Sequence, residues 1–203
     1  ASRLLYTAAR VLVDKLGTAV TGDGARAQRA TMAVDASNLL SLASARAPEQ
    51  TPTASRILGE LIRLLESVGE IEAASTVRQK RLGLLTGPEA LAHEHVRLLE
   101  IFDGLGRADE AAFHAERALE VDPEDATTRE RLDRALQRLG RHEVRVRSWV
   151  AEANAARPTR VRVAALLRAS DITERQLRRR DDAIAHLRAA WAIDPGNSSV
   201  FDA

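Results

Sequence analysis

Glycine and proline alternate along this chain with a period near 35 residues, and no other feature restricts its fold as strongly. Three prolines close helix-like stretches, in Leu119-Glu-Val-Asp-Pro123, Ala155-Ala-Arg-Pro158 and Ala192-Ile-Asp-Pro195, at spacings of 35 and 37. Three glycines, Gly69, Gly106 and Gly140, lie 37 and 34 apart, each at the end of a leucine-containing run. A glycine just past a helix supplies the left-handed conformation that closes its C-terminus, and proline suits the start of the next helix, where its missing N–H is unpaired anyway. Each period is therefore two helices and two turns. Between the marks the apolar residues recur with helical spacing, as Leu58, Leu61, Ile62 and Leu65, and again as Leu98, Leu99, Phe102 and Leu105.

Composition agrees with helices throughout. Aromatic residues make up only 3% of the 203 residues, and sheet cores depend on aromatic and β-branched side chains. The chain is rich instead in alanine, leucine, arginine and glutamate, which lose little freedom in a helix. Apolar residues at 45% are ample for a core. The fold class expected is all-α, an α-solenoid of stacked antiparallel helix-turn-helix repeats. One such pair buries too little surface to offset its chain entropy, so each needs neighbours to cover its apolar stripe.

Two stretches carry a more specific signature. Gly106-Arg-Ala-Asp-Glu-Ala111-Ala-Phe-His-Ala-Glu-Arg-Ala118-Leu-Glu-Val-Asp-Pro123 is echoed by Asp182-Ala183-Ile-Ala-His-Leu187-Arg-Ala-Ala190-Trp-Ala-Ile-Asp-Pro195. The pattern resembles the tetratricopeptide (TPR) repeat, a helix-turn-helix of about 34 residues with small residues where helices pack closely, and the resemblance implies a right-handed superhelix. Ala111 and Ala183 take the first small position, Ala118 and Ala190 the second, and Pro123 and Pro195 the terminal proline. The units read in this way are 2–50, with an insertion around Gly17 to Ala30, then 55–90, 92–125, 126–160 and 161–197, with a further helix beginning at 198–203. Leu5, Ala8, Ala9 and Leu12 match the first helix of the opening unit, and Ala36, Leu40, Ala43 and Pro48 its second. In 126–160, Leu132, Leu136, Gly140 and Trp149 fit the pattern, Asp133 stands at a normally small position and Pro158 comes a residue late. In 55–90, Arg81 replaces the second alanine. In the last unit, Val161 to Arg178 reads as an extended first helix packing through Leu166, Ala169, Ser170 and Thr173.

Charge and residue usage exclude several kinds of function. Net charge is +1, so the field that would draw the whole chain onto nucleic acid or an anionic membrane is missing. With no cysteine there is no disulfide, thiolate metal site or thiol nucleophile. No apolar run approaches the roughly 20 residues of a membrane span. The chain opens on Ala1 and ends in what reads as the first turn of another helix, as expected of a segment of a longer, bacterial protein; a cytoplasmic setting is the default expectation.

Candidate chemical sites are few. His93 and His95 are two apart, roughly 200° around a helix, so they do not converge on one metal; with His114 they are weighed as a solvated face against a zinc site, and no metal is assigned. Thr21-Gly-Asp-Gly24 lacks the Gly-Lys-Ser/Thr ending of a phosphate loop and the acidic ladder of a calcium loop, and reads as a turn. No nucleophile, acid–base pair or cofactor motif stands out. Trp191 aligns with Leu119 and is expected in the core. Phe113 occupies an outward position and is a candidate exposed contact.

The TPR resemblance implies that first helices of successive units line a groove for extended peptides or partner helices. Carried over by register, the groove positions are Arg63, Glu66, Glu100, Asp103, Glu130, Arg134, Gln137, Arg138 and Arg175. The lysine, asparagine and arginine set that clamps a terminal carboxylate in chaperone-tail-binding members is missing, and Arg134, Arg138 and Arg175 suit bidentate contacts to an acidic segment. The function expected is a non-catalytic scaffold or adaptor segment binding a protein or peptide, with no cofactor. A regulatory or sensory arm of a kinase or transcription regulator is the alternative, and an enzyme with a groove site a third reading.

Overall fold

The computed structural model describes residues 2–18, 23–46, 51–67 and 69–201, and all regular structure among them is helical. In chain order the helices are α1 (Ser2–Thr18), α2 (Asp23–Arg46), α3 (Thr51–Ser67), α4 (Ile71–Leu82), α5 (Pro88–Gly104), α6 (Ala108–Leu119), α7 (Ala126–Arg138), α8 (His142–Ala155), α9 (Thr159–Arg175), α10 (Arg180–Ile193) and the short α11 (Ser198–Phe201). Thr21, Gly22 and Pro48 lie outside the described residues, and α2 begins at Asp23. The chain divides into two compact units, residues 1–101 and 102–203. In the first, α1 packs on α2 and α3, and α4 packs on both α2 and α3. In the second, α6 packs on α7, α7 on α8, α8 on α9 and α9 on α10. The odd-numbered helices are the first, and the even-numbered the second, of successive pairs.

The turns inside the pairs repeat one geometry. Gly69, Gly106 and Gly140 have φ of 77, 72 and 66°, and the amide of the following residue donates to the carbonyl five residues back at 2.9 Å, on Leu65, Phe102 and Leu136. This bond satisfies a helix-end carbonyl that has no partner within the helix. A Cβ added at any of these glycines would meet nothing within 4 Å, so only the backbone conformation requires glycine there. The turn between α9 and α10 makes the same reversal without glycine. Arg178 is left-handed there, at φ 58°, and the amide of Arg179 reaches six residues back to the carbonyl of Thr173 at 3.1 Å. That extra residue shifts the register of the last unit, and the first helix expected to run to Arg178 ends at Arg175.

Counted from each left-handed residue, the fifth residue onward is Ala74, Ala111, Arg145 and Ala183, and the twelfth is Arg81, Ala118, Glu152 and Ala190. All the alanines among them are buried, which lets neighbouring backbones approach closely. Leu58, Leu61, Ile62 and Leu65 form the core of the first unit with Ala9, Ala36 and Leu40. In the second, Val163, Leu166, Ala169, Ile172 and Ala190 surround Trp149. Two apolar residues depart from expectation. Leu105 falls beyond the end of α5 and is 37% exposed, and Trp191 is 41% exposed because its neighbour Ala190 faces the seam.

Where a seam position is charged, a second charge lies against it. Arg81 and Arg78 each donate to Glu94 at 2.9 Å, and the Glu94 side chain is only 2% exposed. Arg78 also donates to Glu66 at 2.8 Å. Burial works against the charge on Arg78, but its bonds and attraction to Glu66 and Glu94 outweigh that and hold its pKa above the ordinary arginine value. In α7 and α8 the sequence departs twice. Arg145 grips Asp133 with two bonds, of 2.8 and 2.7 Å, while the Trp149 indole donates to the same carboxylate at 2.8 Å. Arg129 lies against Glu152, with Nε and Oε2 3.0 Å apart. This repeat thus places two ion pairs where a TPR-like seam has small residues.

Candidate functional site

The seam pairing decides which groove positions remain available. In the first unit, Glu66 is held by Arg78, Glu100 accepts from Arg97 at 2.7 Å, and Arg63 is exposed. In the second, Arg138 donates to Asp103 at 2.7 Å, tying α7 to the end of α5. Arg175 pairs with Asp171 one turn back at 2.7 Å, with both side chains largely exposed. Arg134 and Gln137 are exposed on α7, as is Glu130. Neither Glu130 nor Arg134 forms an ion pair among the described residues. Phe113 is 50% exposed on α6, its ring edge-on to His114 and beneath the Arg117 guanidinium. His114 itself is buried and stacked on Phe102 with ring centroids 5.4 Å apart. Among the described residues no three His, Asp or Glu side chains are grouped to hold a metal.

The second unit has an open cleft of about 330 Å³ on its first-helix side. Glu130 of α7 stands on one wall and Arg160, Val161, Ala164 and Arg168 of α9 on the other, while Trp149 and Glu152 of α8 form the floor. Each wall has a local cause. Asp125 accepts from the amides of Thr127 and Thr128 and so starts α7 with its carboxylate at the positive end of the helix. Ala164, exposed on α9, leaves space that a larger side chain would fill, while its neighbour Ala165 packs into the core. Trp149 is fixed because its Nε1 is bonded to Asp133, and the guanidinium of Arg168 lies 5.9 Å from the centroid of its ring.

Glu152 is the unusual group on this floor. Its side chain is 8% exposed and forms a buried ion pair with Arg129, Oε2 lying 3.0 Å from Nε. Burial pushes its carboxyl pKa upward; Arg129 opposes the shift and the charge of Glu130 adds to it. The Arg129 side chain is occupied on its other side, where Nη2 donates to the Pro123 carbonyl. The cleft thus combines a rigid indole, a buried Arg129–Glu152 ion pair and charged rims of both signs. Such a surface has the means to hold part of a polypeptide by shape, stacking and charge.

Of the cleft residues, the register named only Glu130 as lining the groove. Arg160, Ala164 and Arg168 escaped it because Arg175, near the end of α9, was the one position carried over in that helix, and Glu152 because only first-helix positions were carried over. One signal was present: Glu152 follows Trp149 by three residues, which sets a carboxylate on the core stripe of α8.

No protein-family model matches the chain, and no curated protein matches it significantly. Solved structures similar to it are helical-repeat proteins. A kinesin-light-chain-like protein of Podosopora anserina with nearly identical TPR-like repeats shares 15% identity over 94% of this chain and 93% of its own, at a TM-score of 0.46. MamA protein shares 15% identity over 96% and 94%, at 0.46. YrrB, a TPR protein with an unusual peptide-binding site, shares 16% over 85% and 90%, at 0.42. At these scores the likeness is one of repeated helix pairs, and the fold rests on the turns and seams themselves.

Proposed function

We propose that this chain is a non-catalytic interaction scaffold, a segment of a longer protein that binds a polypeptide partner on its first-helix side. The observation that carries this reading is the cleft between α7 and α9, whose floor is fixed by seam bonds while Glu130 and Arg160 on its rims form no ion pair among the described residues. Elsewhere in the second unit, charged groove positions such as Asp103 and Arg138 are joined to each other. The small, exposed side chain of Ala164 opens the site, so its capacity depends on a residue that the core does not use. Among the described residues no helix is long and apolar enough to cross a membrane, so the reading requires none.

The test is selection of a random peptide library on the purified chain, repeated on Ala164→Trp. Ala164 is exposed, so an indole there fills the cleft without entering the seam. Enrichment of peptides by the parent, with affinity falling tenfold or more in Ala164→Trp while the helical circular dichroism is unchanged, supports the reading. Peptides bound equally by both proteins, or no enrichment at all, would overturn it.

A further inference from the structure

We infer that the α7–α9 cleft takes an extended acidic segment of the bound polypeptide, whose side-chain carboxylates are gripped by Arg160 and Arg168 of α9. This deepens the reading above and rests on it. The observation behind it is which arginines remain unspent. Of the three that the register offered to an acidic partner, Arg138 is bonded to Asp103 and Arg175 to Asp171. Arg134, Arg160 and Arg168 are exposed and form no ion pair among the described residues. Arg160 and Arg168 line the cleft, and Arg134 stands one helical turn beyond Glu130 on α7. The floor adds no net charge, because Glu152 is paired with Arg129 at 3.0 Å. Glu130 is the other carboxylate in the lining, and the two arginines outnumber it, so the surface complements an anionic ligand.

The α9 wall also sets the spacing of the ligand. Arg168 lies with its guanidinium over the Trp149 ring, 5.9 Å from the centroid. That contact uses the flat face of the group and leaves the N–H donors along its edge for a carboxylate, while the indole is itself fixed by Asp133. Arg160 comes eight residues earlier on the helix, about 12 Å away along its axis. In an extended chain, residues four apart face the same way at a separation of about 13 Å. Two acidic residues at that spacing meet the two arginines, with the side chain midway between them over the space at Ala164. Glu130 on the facing wall repels a further carboxylate and so turns the acidic face of the segment toward α9.

The test uses defined peptides, so that it does not depend on a peptide being selected. In a Trp191→Phe background the remaining tryptophan, Trp149, gives a single indole N–H signal by nuclear magnetic resonance. The peptide Glu-Ser-Ala-Ser-Glu, acetylated and amidated so that only side-chain carboxylates are offered, should shift that signal saturably and more weakly as salt is added. Its Gln-Ser-Ala-Ser-Gln counterpart should bind tenfold or more weaker, and Lys-Ser-Ala-Ser-Lys should not bind. Arg160→Gln and Arg168→Gln should each weaken the glutamate peptide several-fold, while Glu130→Gln should strengthen it. Opposite effects of this kind would not come from a general loss of packing, and all three residues are exposed, so the variants should keep the fold. Equal binding of the glutamate and glutamine peptides, tighter binding of the lysine peptide, no saturation by the glutamate peptide, or an affinity unchanged in Arg160→Gln and Arg168→Gln would overturn the inference. If library peptides are selected and lost in Ala164→Trp yet carry no acidic residue, the scaffold reading stands and this inference falls.

Discussion

Replacing Asp133 by alanine gives α7 the small side chain that a TPR-like seam has at this position, and on packing grounds alone the change should be harmless. The pairing across α7 and α8 predicts the opposite. Asp133 accepts two bonds from Arg145, a side chain 8% exposed whose other close partner is His142 Nδ1 at a long 3.5 Å, and one from the indole N–H of Trp149. Its removal leaves a buried guanidinium without its counter-charge, which costs about 3–5 kcal/mol when one partner of a buried pair is lost. Total stability is of order 5–15 kcal/mol, so such a change is easily measured. In the double variant Asp133→Ala with Arg145→Ala both charges leave together. What remains is an unpaired indole N–H, about 1–3 kcal/mol. The expected result is a coupling of about 2 kcal/mol or more, in which the double variant is more stable than Asp133→Ala alone. Urea unfolding of the four proteins followed by Trp149 fluorescence, in a Trp191→Phe background, reads the second unit directly, which matters because repeat proteins unfold by parts. A single variant within 1 kcal/mol of the parent, or a double variant whose loss equals the sum of the singles, would refute the reasoning.

Other expectations concern separate elements. Arg178→Gly should raise stability by about 0.5–1 kcal/mol, since it removes a left-handed strain of about 1–2 kcal/mol at the cost of a more flexible unfolded chain, whereas Gly140→Ala should lower it by about 1 kcal/mol or more; opposite shifts in thermal midpoint check both. Asp125→Ala should cost about 1 kcal/mol as a lost cap. Burial is the largest single influence on the Asp125 carboxyl and raises its pKa, but the bonds from Thr128 and Thr127 together outweigh it and leave the pKa below the ordinary value of 3.8. The contribution of Asp125 is therefore complete above that pH and is lost as pH falls through the lowered value, so the stability gap between parent and Asp125→Ala should close on acidification from pH 4 downward. Glu94→Leu leaves Arg78 with Glu66 but takes the buried counter-charge from Arg81, and should cost about 3 kcal/mol in urea unfolding; a loss below 1 kcal/mol would show that the pair contributes nothing to the first unit.

The repeat was legible because its signals are local. Gly69, Gly106 and Gly140 mark turns through a backbone conformation that other residues adopt at a cost, and the stripe from Leu58 to Leu65 follows from helical spacing alone. Arg178 shows where that legibility stops: an arginine takes the left-handed position with no compositional mark, although Ala183 and Ala190 still stand at the expected offsets after it. Trp191 was expected inside by alignment with Leu119, but one residue along a helix turns a side chain by roughly 100°, and the seam there belongs to Ala190.

The amino-acid sequence by itself determined that the chain forms helix pairs with small residues at recurring offsets, since propensity, turn chemistry and periodicity act within a few residues of one another. Only the tertiary structure decided that Arg81, Asp133, Arg145 and Glu152, which break the pattern one at a time, are matched to charges 12 to 23 residues away. It also decided that Glu152 reaches the floor of a cleft. The physical reason is that the cost of a buried charge depends on its spatial neighbours, and neighbours drawn from different helices are fixed only when the helices pack.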